Sequence, residues 1–261
     1  MPEGHLIHRT AAIHNKQLVG YRTATTSPQG RFADEAELLR GRKLQRVEAH
    51  GKHLFYHWRG KVVHVHLGLY GKFRPLKKPF TEPRGAVRLR MTANGHGFDL
   101  VGPNRCEILG AAEVKKILGR LGQDPLRDDA DPEIAWNRIS KSRAAIGRLL
   151  LDQSVIAGVG NIYRADALFD AGIHPDRAGN SLVRDDFDTL WSFLDRTMHV
   201  GKKYNKIINV LPADVGKPYS KMKREERLLV YKKEHCVRCD TRIKTWDCGS
   251  RTVYACLKCQ N

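Results

Sequence analysis

The spacing of hydrophobic and polar positions in this chain changes about half way along its length. A short N-terminal stretch over 3–15 has helical spacing, and residues 17–109 then alternate between apolar and polar positions, with breaks at glycine and proline. This alternation predicts six to eight short strands, and antiparallel strands joined by short turns favour a sandwich. Helical spacing returns in 111–122, which is expected to close the first domain.

The second half of the chain has the pattern of a helical domain. Apolar residues recur at helical spacing in 144–155 and in 161–172, and a further helix is expected near 183–200. The segment "IAGVGN" separates the first two, and its glycines permit positive φ or a close approach of the backbone. Asn161 stands at the expected N-cap. The pattern predicts a helix-turn-helix unit whose N-terminal amides could hold a phosphate.

Cysteine spacing adds a third module. The motifs "CVRC" and "CLKC" are separated by 16 residues, and this spacing is typical of a tetrahedral zinc ribbon. Its predicted ligands to one structural Zn²⁺ are Cys236, Cys239, Cys256 and Cys259. A disulfide framework is disfavoured in a chain of 261 residues without a secretory signal. Cys106 and Cys248 are left over, and Cys248, which lies between the two motifs, is expected to be a free thiol rather than a fifth ligand.

These elements predict an α+β fold with an N-terminal helix, an antiparallel β-sandwich, a helical domain and a zinc ribbon. The expected boundaries are 1–122 for the sandwich domain, 123–227 for the helical domain and 228–261 for the ribbon. The acidic, proline-containing stretch 122–133 is the natural linker between the first two.

Charge indicates what the protein contacts. Lys and Arg number 46 against 28 Asp and Glu, and the formal net charge is +18. So basic a balance implies a polyanionic partner, and nucleic acid is the commonest one. An anionic membrane surface would call for a basic amphipathic helix, and no clear candidate is present. No apolar run has the length of a membrane span and no signal-peptide core is found, so a cytoplasmic location is expected.

The N-terminus "MPEG" raises a separate question. Proline suits the start of a helix and an acid in the first turn complements the helix dipole, which is reason enough for Pro2 and Glu3 if they are considered alone. Removal of the initiator Met1 would, however, leave Pro2 as a free secondary amine.

Four stretches in order carry a family resemblance: "MPEG", "GKHLF" (51–55), "AGVGNIYRADALFDAGIHP" (157–175) and the four-cysteine ribbon with "SRTVYACLKCQ" (250–260). The set resembles the formamidopyrimidine-DNA glycosylase and endonuclease VIII family of base-excision repair, over essentially the whole chain. The resemblance implies a bifunctional DNA glycosylase and AP lyase. It further implies a monomer, associated with the nucleoid, whose partner is double-stranded DNA containing a damaged base or an abasic site.

The resemblance also implies the roles of four residues. Pro2 would be the nucleophile that attacks the sugar C1′ and forms a Schiff base. Glu3 would move protons between the sugar oxygen and the amine. Lys52 would donate a proton in β-elimination and hold a phosphate. Arg251, expected on the hairpin turn of the ribbon, would grip the phosphates flanking the lesion and assist δ-elimination.

Further residues are implied to contact DNA. Leu69 and Tyr70, in a glycine-flanked loop, match the family's wedge, which fills the space left by an extruded nucleotide. For Tyr70, a place in a core strand is an equally good interpretation. Arg120 matches an arginine near the DNA, and Asn161 is implied to contact a phosphate.

Positions at which this sequence departs from the family pattern indicate its branch within the family. Leu6 stands where several members carry a second acid, and 207–227 does not resemble the loop that caps purine lesions. The chain therefore resembles the endonuclease VIII branch more closely, which implies oxidised pyrimidines as substrates. The alternatives are a glycosylase for oxidised purines and a non-catalytic zinc DNA-binding protein.

Overall fold

The computed structural model describes residues 2–249 and 251–261. The chain divides into two compact units, Met1–Arg120 and Leu121–Asn261. The predicted zinc ribbon lies within the second unit, and its assignment as a third domain stays a prediction. None of the helices in the described part combines the length and the apolar character needed to cross a membrane.

The first unit contains eight strands and three helices among its described residues. The helices are α1 (Gly4–Leu18), α2 (Ala33–Leu39) and α3 (Ala111–Leu118). The strands are β1 (Ala24–Thr26), β2 (Arg46–His50), β3 (His53–Trp58), β4 (Lys61–His66), β5 (Lys72–Lys77), β6 (Val87–Ala93), β7 (His96–Val101) and β8 (Arg105–Leu109). They form two antiparallel sheets of order β1-β6-β7-β5 and β2-β3-β4-β8, which confirms the predicted sandwich.

Helix α1 packs against strands of both sheets and contributes Ile7, Ala11 and Leu18 to the core of this unit. The sheets bury the alternate side chains that the sequence pattern predicts. A buried hydrogen bond of 2.7 Å joins His14 Nδ1 on α1 to the hydroxyl of Tyr56 on β3. The helix is therefore fixed to the sheet by a polar contact as well as by apolar packing.

The second face of the sheet β2-β3-β4-β8 is rich in histidine. Because side chains alternate along a strand and β3 pairs with β2 and β4 in a regular register, five imidazoles share this face. They are His50, His53, His57, His64 and His66. We call this surface the histidine face.

The second unit is mainly helical. Its helices are α4 (Pro132–Ile139), α5 (Ile146–Leu149), α6 (Asn161–Asp170), α7 (Arg184–Tyr204) and α8 (Pro212–Val215), and its strands are β9 (Lys244–Cys248) and β10 (Arg251–Ala255). Tyr163 and Leu168 on α6 pack with Phe187 and Leu194 on α7 in its main core. The strands form an antiparallel hairpin.

The prediction of a continuous helix over 144–155 is wrong. Helix α5 occupies only Ile146–Leu149, and the chain then turns. The carboxylate of Asp152 accepts a 2.8 Å hydrogen bond from the Ser154 backbone, and such local side-chain bonds compete with helical ones. Apolar spacing alone did not reveal this break.

Candidate active site

Pro2 and Glu3 lie at the N-terminus of α1. Glu3 is the N-cap residue, with an extended backbone at φ −119° and ψ 171°, and its side chain does not cap the helix. It is only 1% exposed, whereas Pro2 is half-buried. A carboxylate here is stabilised by the positive end of the helix dipole. Leu6 follows in the first turn.

The direction in which α1 runs along the sheet determines at which end of the sheet Pro2 and Glu3 lie. The side chain of Asn15 donates to the Val47 carbonyl at 2.6 Å and accepts from the Val47 amide at 2.9 Å, near the start of β2. Helix α1 packs more extensively against β2 than against any other strand. Such contact requires the earlier turns of the helix to extend towards His50. Pro2 and Glu3 therefore lie at the end of the sheet where β2 turns into β3.

Lys52 occupies that turn. Gly51 and Lys52 form a two-residue connection between the paired residues His50 and His53. Gly51 has a φ of 56°, which glycine adopts without steric cost, and the tight hairpin depends on it. Lys52 is half-buried.

The loop between β4 and β5 lies at the same end, because His66, the last residue of β4, pairs with His53. Gly71 donates to the Leu67 carbonyl at 3.0 Å, and a Cβ at Gly71 would lie 2.3 Å from that oxygen. The closed turn projects Leu69, 48% exposed, and Tyr70, 86% exposed. The alternative interpretation of Tyr70 as a core strand residue is wrong.

Arg120 also approaches this end of the sheet. It follows α3 and is exposed. Burial lowers the pKa of His53 to about 3, with further contributions from the neighbouring histidines and from the positive charge of Arg120. The first unit thus places Pro2 and five further predicted site residues at one end of one sheet. The five are Glu3, Lys52, Leu69, Tyr70 and Arg120.

In the second unit, Asn161 is not the N-cap of α6. Gly160 takes that position, with an extended backbone at φ −120° and ψ −167°, and Asn161 is the first helical residue. Its Nδ2 donates to the Thr252 carbonyl at 3.1 Å, and the side chain is buried. The carboxamide of Asn161 thus joins α6 to the hairpin.

Arg164 is a buried charged residue that the sequence did not single out. It lies one helical turn after Asn161 and is fully buried. Its guanidinium donates to the Gly147 carbonyl at 3.2 Å and to the Thr252 carbonyl at 2.8 Å. The sequence signal was an arginine flanked by Tyr163 and Ala165 on a helix with many apolar positions. The Thr252 carbonyl accepts hydrogen bonds from two side chains of α6.

Arg251 is the first residue of β10, immediately before Thr252, rather than a residue of the turn. It pairs with Cys248 across the hairpin and is half-buried. Gly249, with a φ of 68°, begins the connection, and Ser250 lies outside the described residues. The backbone that carries Arg251 is anchored to α6 through the next residue.

Asp166 is a second buried charge that the sequence did not reveal. Its carboxylate accepts hydrogen bonds of 2.9 to 3.0 Å from three consecutive backbone amides, those of residues 229–231, and one of 2.8 Å from Asn209 Nδ2. Burial raises its pKa, and these hydrogen bonds oppose that rise. The carboxylate holds the chain that leads into the ribbon.

The four predicted ligand cysteines form one cluster. Their sulfurs all lie within 4.8 Å of one another, and the arrangement is suited to a metal ion. Cys248 lies outside this group and Cys106 is buried in the core of the first unit, where burial raises its pKa to about 12. Both are free thiols, as predicted for Cys248.

The chain is similar to known proteins over its whole length. Residues 1–106 match the formamidopyrimidine-DNA glycosylase N-terminal domain, and residues 121–210 match the formamidopyrimidine-DNA glycosylase H2TH domain. Endonuclease 8 1 of Mycobacterium tuberculosis is 47% identical, with all of both chains covered. A formamidopyrimidine-DNA glycosylase of Pectobacterium carotovorum is 31% identical over 77% of this chain and 76% of its own.

Solved structures share the fold. A Lactococcus lactis Fpg in complex with DNA containing N7-benzyl-Fapy-dG has a TM-score of 0.83 at 22% identity, with 99% of each chain covered. Another complex of the Lactococcus lactis Fpg, with DNA containing an abasic site, has a TM-score of 0.80 at 22% identity and the same coverage. The sequence relatives and the two matched domains show that the chain belongs to the formamidopyrimidine-DNA glycosylase and endonuclease 8 family, the DNA glycosylases with AP lyase activity of base-excision repair.

Proposed function

We propose that this protein excises oxidised bases, with oxidised pyrimidines preferred, through a Schiff base at Pro2 followed by β- and δ-elimination. The observation that carries the proposal is the convergence of the α1 N-terminus, the Lys52 turn and the exposed Leu69–Tyr70 loop at one end of one sheet. These parts supply a nucleophile, a proton donor and a wedge.

Pro2 would attack the sugar C1′ with its secondary amine and displace the damaged base. The product is an iminium without an N–H proton, so it stays cationic and draws electrons from the sugar. The C2′ hydrogen becomes acidic, and the 3′ phosphate can leave. An α-amino group titrates near pH 8, so a useful fraction of it is unprotonated at neutral pH.

Glu3 and Lys52 would handle the protons of these steps. Glu3 adjoins Pro2 and is almost completely buried, so water does not compete strongly for its carboxylate. It would transfer a proton between the ring oxygen O4′ and the amine. Lys52, on its glycine turn, would donate a proton in β-elimination and bind a phosphate as a cation.

Arg251 would act in δ-elimination. Arg251 precedes Thr252, whose carbonyl is held by Asn161 and Arg164 of α6. The backbone from which the Arg251 side chain extends is therefore fixed in position. A planar guanidinium can bind a phosphate through two parallel hydrogen bonds and assist the departure of the 5′ phosphate.

The remaining predicted residues would bind DNA. Leu69 and Tyr70 are exposed on a loop closed by the hydrogen bond from Gly71 to Leu67, and they suit insertion into the base stack after nucleotide extrusion. Arg120 would contact the backbone beside Lys52. Asn161 Nδ2 carries a second N–H besides the one that bonds Thr252, and this donor would contact a phosphate. Binding to chromosomal DNA would place the protein on the nucleoid.

One structural Zn²⁺ fits the cysteine cluster. Tetrahedral Zn–S bonds of about 2.3 Å place sulfurs about 3.8 Å apart. The Sγ atoms of Cys236 and Cys259 are 3.8 Å apart, those of Cys239 and Cys256 3.5 Å, and those of Cys239 and Cys259 3.4 Å. Four thiolates complete the coordination, so the ion would stabilise the ribbon.

The preference for pyrimidines rests on the relative Endonuclease 8 1 and on Leu6, which cannot hydrogen-bond a base as an acid could. A panel of duplexes tests it, each carrying one oxidised pyrimidine, one oxidised purine or one abasic site, with excision and strand cutting measured separately. Faster excision of purines would favour the alternative glycosylase. Binding without any cutting would favour a non-catalytic DNA-binding protein.

A further inference from the structure

Lys232 has a backbone conformation that lysine rarely adopts. Its φ is 57°, in the left-handed region, where most side chains are disfavoured. Asparagine and aspartate tolerate this region, and they occupy the other non-glycine positions with positive φ in the described part of the chain, which are Asn94, Asn205 and Asp240. Glycine would adopt the same backbone without steric cost. A lysine at position 232 therefore costs free energy, and residues held in this way cluster at functional sites.

The surrounding backbone imposes this conformation. The Lys233 amide donates to the Val230 carbonyl at 3.1 Å, which closes a turn with Lys232 as its third residue. Where the third residue of such a turn has a positive φ, it is usually glycine or asparagine. The carboxylate of Asp166 on α6 accepts hydrogen bonds from the amides of residues 229–231 just before it. The turn is thus fixed to α6, and the lysine side chain leaves it in a set direction.

The turn lies at a cationic cavity of about 490 Å³. Nine residues line this cavity, and the charged ones among them are four cations and the single acid Glu225. The cations are Arg224, Arg227, Lys232 and Lys233. Lys232 is exposed, and its Nζ lies 5.9 Å from the centroid of the Tyr231 ring. Among the described residues no carboxylate forms an ion pair with its ammonium group. The charge of Lys232 is therefore available to an external anion.

The cavity adjoins the two elements that carry proposed phosphate contacts. Ile162, in the first turn of α6 after Asn161, lines one wall. Tyr231 lines another, and its ring centroid lies 4.9 Å from that of Tyr254 on β10, the strand that begins with Arg251. DNA bound through Asn161 and Arg251 would therefore run beside the cavity.

We propose that Lys232 binds a phosphate of the DNA backbone, and that this contact is the reason for a lysine at a left-handed position. A lysine ammonium is a compact positive charge with three donors, and it binds phosphate as a point charge. The four stretches that carry the family resemblance do not contain Lys232. The inference rests on the proposed function, because it extends the DNA contacts proposed for Asn161 and Arg251.

The test compares Lys232→Gly, Lys232→Asn and Lys232→Arg with the unaltered full-length protein. Fluorescence anisotropy measures binding to a duplex with a tetrahydrofuran residue, an abasic-site analogue that cannot form the iminium, over a series of salt concentrations. Each phosphate contact contributes about 0.9 to the slope of log K against log salt concentration. The glycine and asparagine variants should therefore lower that slope by about 1 and weaken binding about fivefold. Lys232→Arg keeps the cation and should retain the slope.

Thermal unfolding separates this role from a structural one. Glycine adopts the left-handed region without steric cost, so Lys232→Gly should keep or raise the melting temperature while it loses the phosphate contact. A side chain that only stabilised the fold would, on its removal, lower the melting temperature. Asn205→Gly replaces another left-handed residue of the second unit, at the end of α7, and removes no charge. Its salt slope should equal that of the unaltered protein.

The charge-matched control is Lys244→Asn. Lys244 is exposed at the start of β9 and pairs with Ala255, at the opposite end of the hairpin from Arg251. This variant removes the same charge from the same unit as Lys232→Asn does. We expect its salt slope to equal that of the unaltered protein, because the slope reports phosphate contacts and not net charge.

Three results would overturn the inference. They are an unchanged salt slope in Lys232→Gly, an equal fall of the slope in Lys244→Asn, and a lower melting temperature of Lys232→Gly. A failure of the proposed function is distinguishable, because the unaltered protein itself would then not cut a duplex with a natural abasic site. The salt slope of the variants is measured on a duplex that is not cut.

Discussion

The guanidinium of Arg164 donates a 2.8 Å hydrogen bond to the backbone carbonyl of Thr252. This contact joins a fully buried arginine on α6 to the strand that begins with Arg251. The position of the hairpin is thus set by α6, and the first prediction follows from this bond.

Arg164→Met should loosen the hairpin while preserving much of the side-chain volume. Loss of a charged donor from buried carbonyls costs about 1–3 kcal/mol, so the melting temperature should fall. Affinity for abasic-site DNA should fall as well, because the backbone at Arg251 is no longer held in position by Arg164. Thermal unfolding and fluorescence anisotropy measure the two effects. Arg148→Met, on an exposed side chain of α5, is the control and should change neither. An unchanged affinity in Arg164→Met would show that the bond does not position the DNA contact.

The second prediction concerns the N-terminal amine. Borohydride added during reaction should reduce the iminium and leave the protein covalently joined to DNA through Pro2. A single additional residue before Pro2 blocks the amine and should abolish the cross-link. Denaturing gels detect the product. Equal cutting of an abasic site by the extended and unextended proteins would contradict the assignment of Pro2 as nucleophile.

The third prediction concerns metal. We expect one Zn²⁺ per chain by elemental analysis, and its removal by a chelator should unfold the ribbon and weaken DNA binding, because metal binding and local folding are coupled. Cys236→Ser should show the same loss, whereas Cys248→Ser, which alters a thiol outside the cluster, should retain the metal. Two ions per chain would contradict the assignment, as would full DNA affinity in Cys236→Ser.

The fourth prediction separates the two eliminations. Arg251→Ala should accumulate the β product, which ends in an unsaturated aldehyde, at the expense of the phosphate-ended δ product. In the proposed mechanism the guanidinium assists departure of the 5′ phosphate and takes no part in the first elimination. Saturating enzyme removes the contribution of weaker binding, so that the product ratio on a sequencing gel reports the second step alone. A slower reaction with an unchanged ratio of β to δ product would show that Arg251 binds phosphate but does not assist δ-elimination.

The fifth prediction tests Asn161. Asn161→Ala should weaken binding to damaged and undamaged duplexes about equally, since a phosphate contact carries no sequence information. The affinity of the unaltered protein should also fall steeply with salt, as expected when several phosphates are neutralised. A selective loss for damaged DNA would indicate that Asn161 acts through Thr252 on the lesion site instead.

The strands and the four-cysteine cluster could be predicted from the sequence because their signals are local. Alternation gave the sandwich, and two CxxC motifs gave the four-cysteine cluster. The interpretation of Tyr70 as a core residue failed because an alternating pattern continues across a tight glycine turn without a break. Asn161 was predicted as N-cap, but the extended backbone of Gly160 takes that place.

Buried charges could not be predicted for a different reason. Arg164 and Asp166 bond to backbone groups that lie 17 to 88 residues away along the chain. No local pattern contains those partners, because a backbone carbonyl or amide has no residue type. The hydrogen bonds that join His53 to His64 and His64 to Glu107 depend in the same way on the register of β3, β4 and β8, which the sequence alone does not give.

The carboxylate of Asp166 holds both ends of one segment of the second unit. One oxygen of the carboxylate accepts hydrogen bonds from the side chain of Asn209 and from the backbone amide of Leu229. The backbone amide of Asn209 donates to the Arg227 carbonyl at 2.8 Å. The excursion over 210–228 therefore leaves and returns at a single point. Because the carboxylate holds both ends, we expect that shortening this segment leaves the backbone of residues 229–231 bonded to Asp166. Residues 210–228 and residues 229–231 are thus tied to α6 through one side chain.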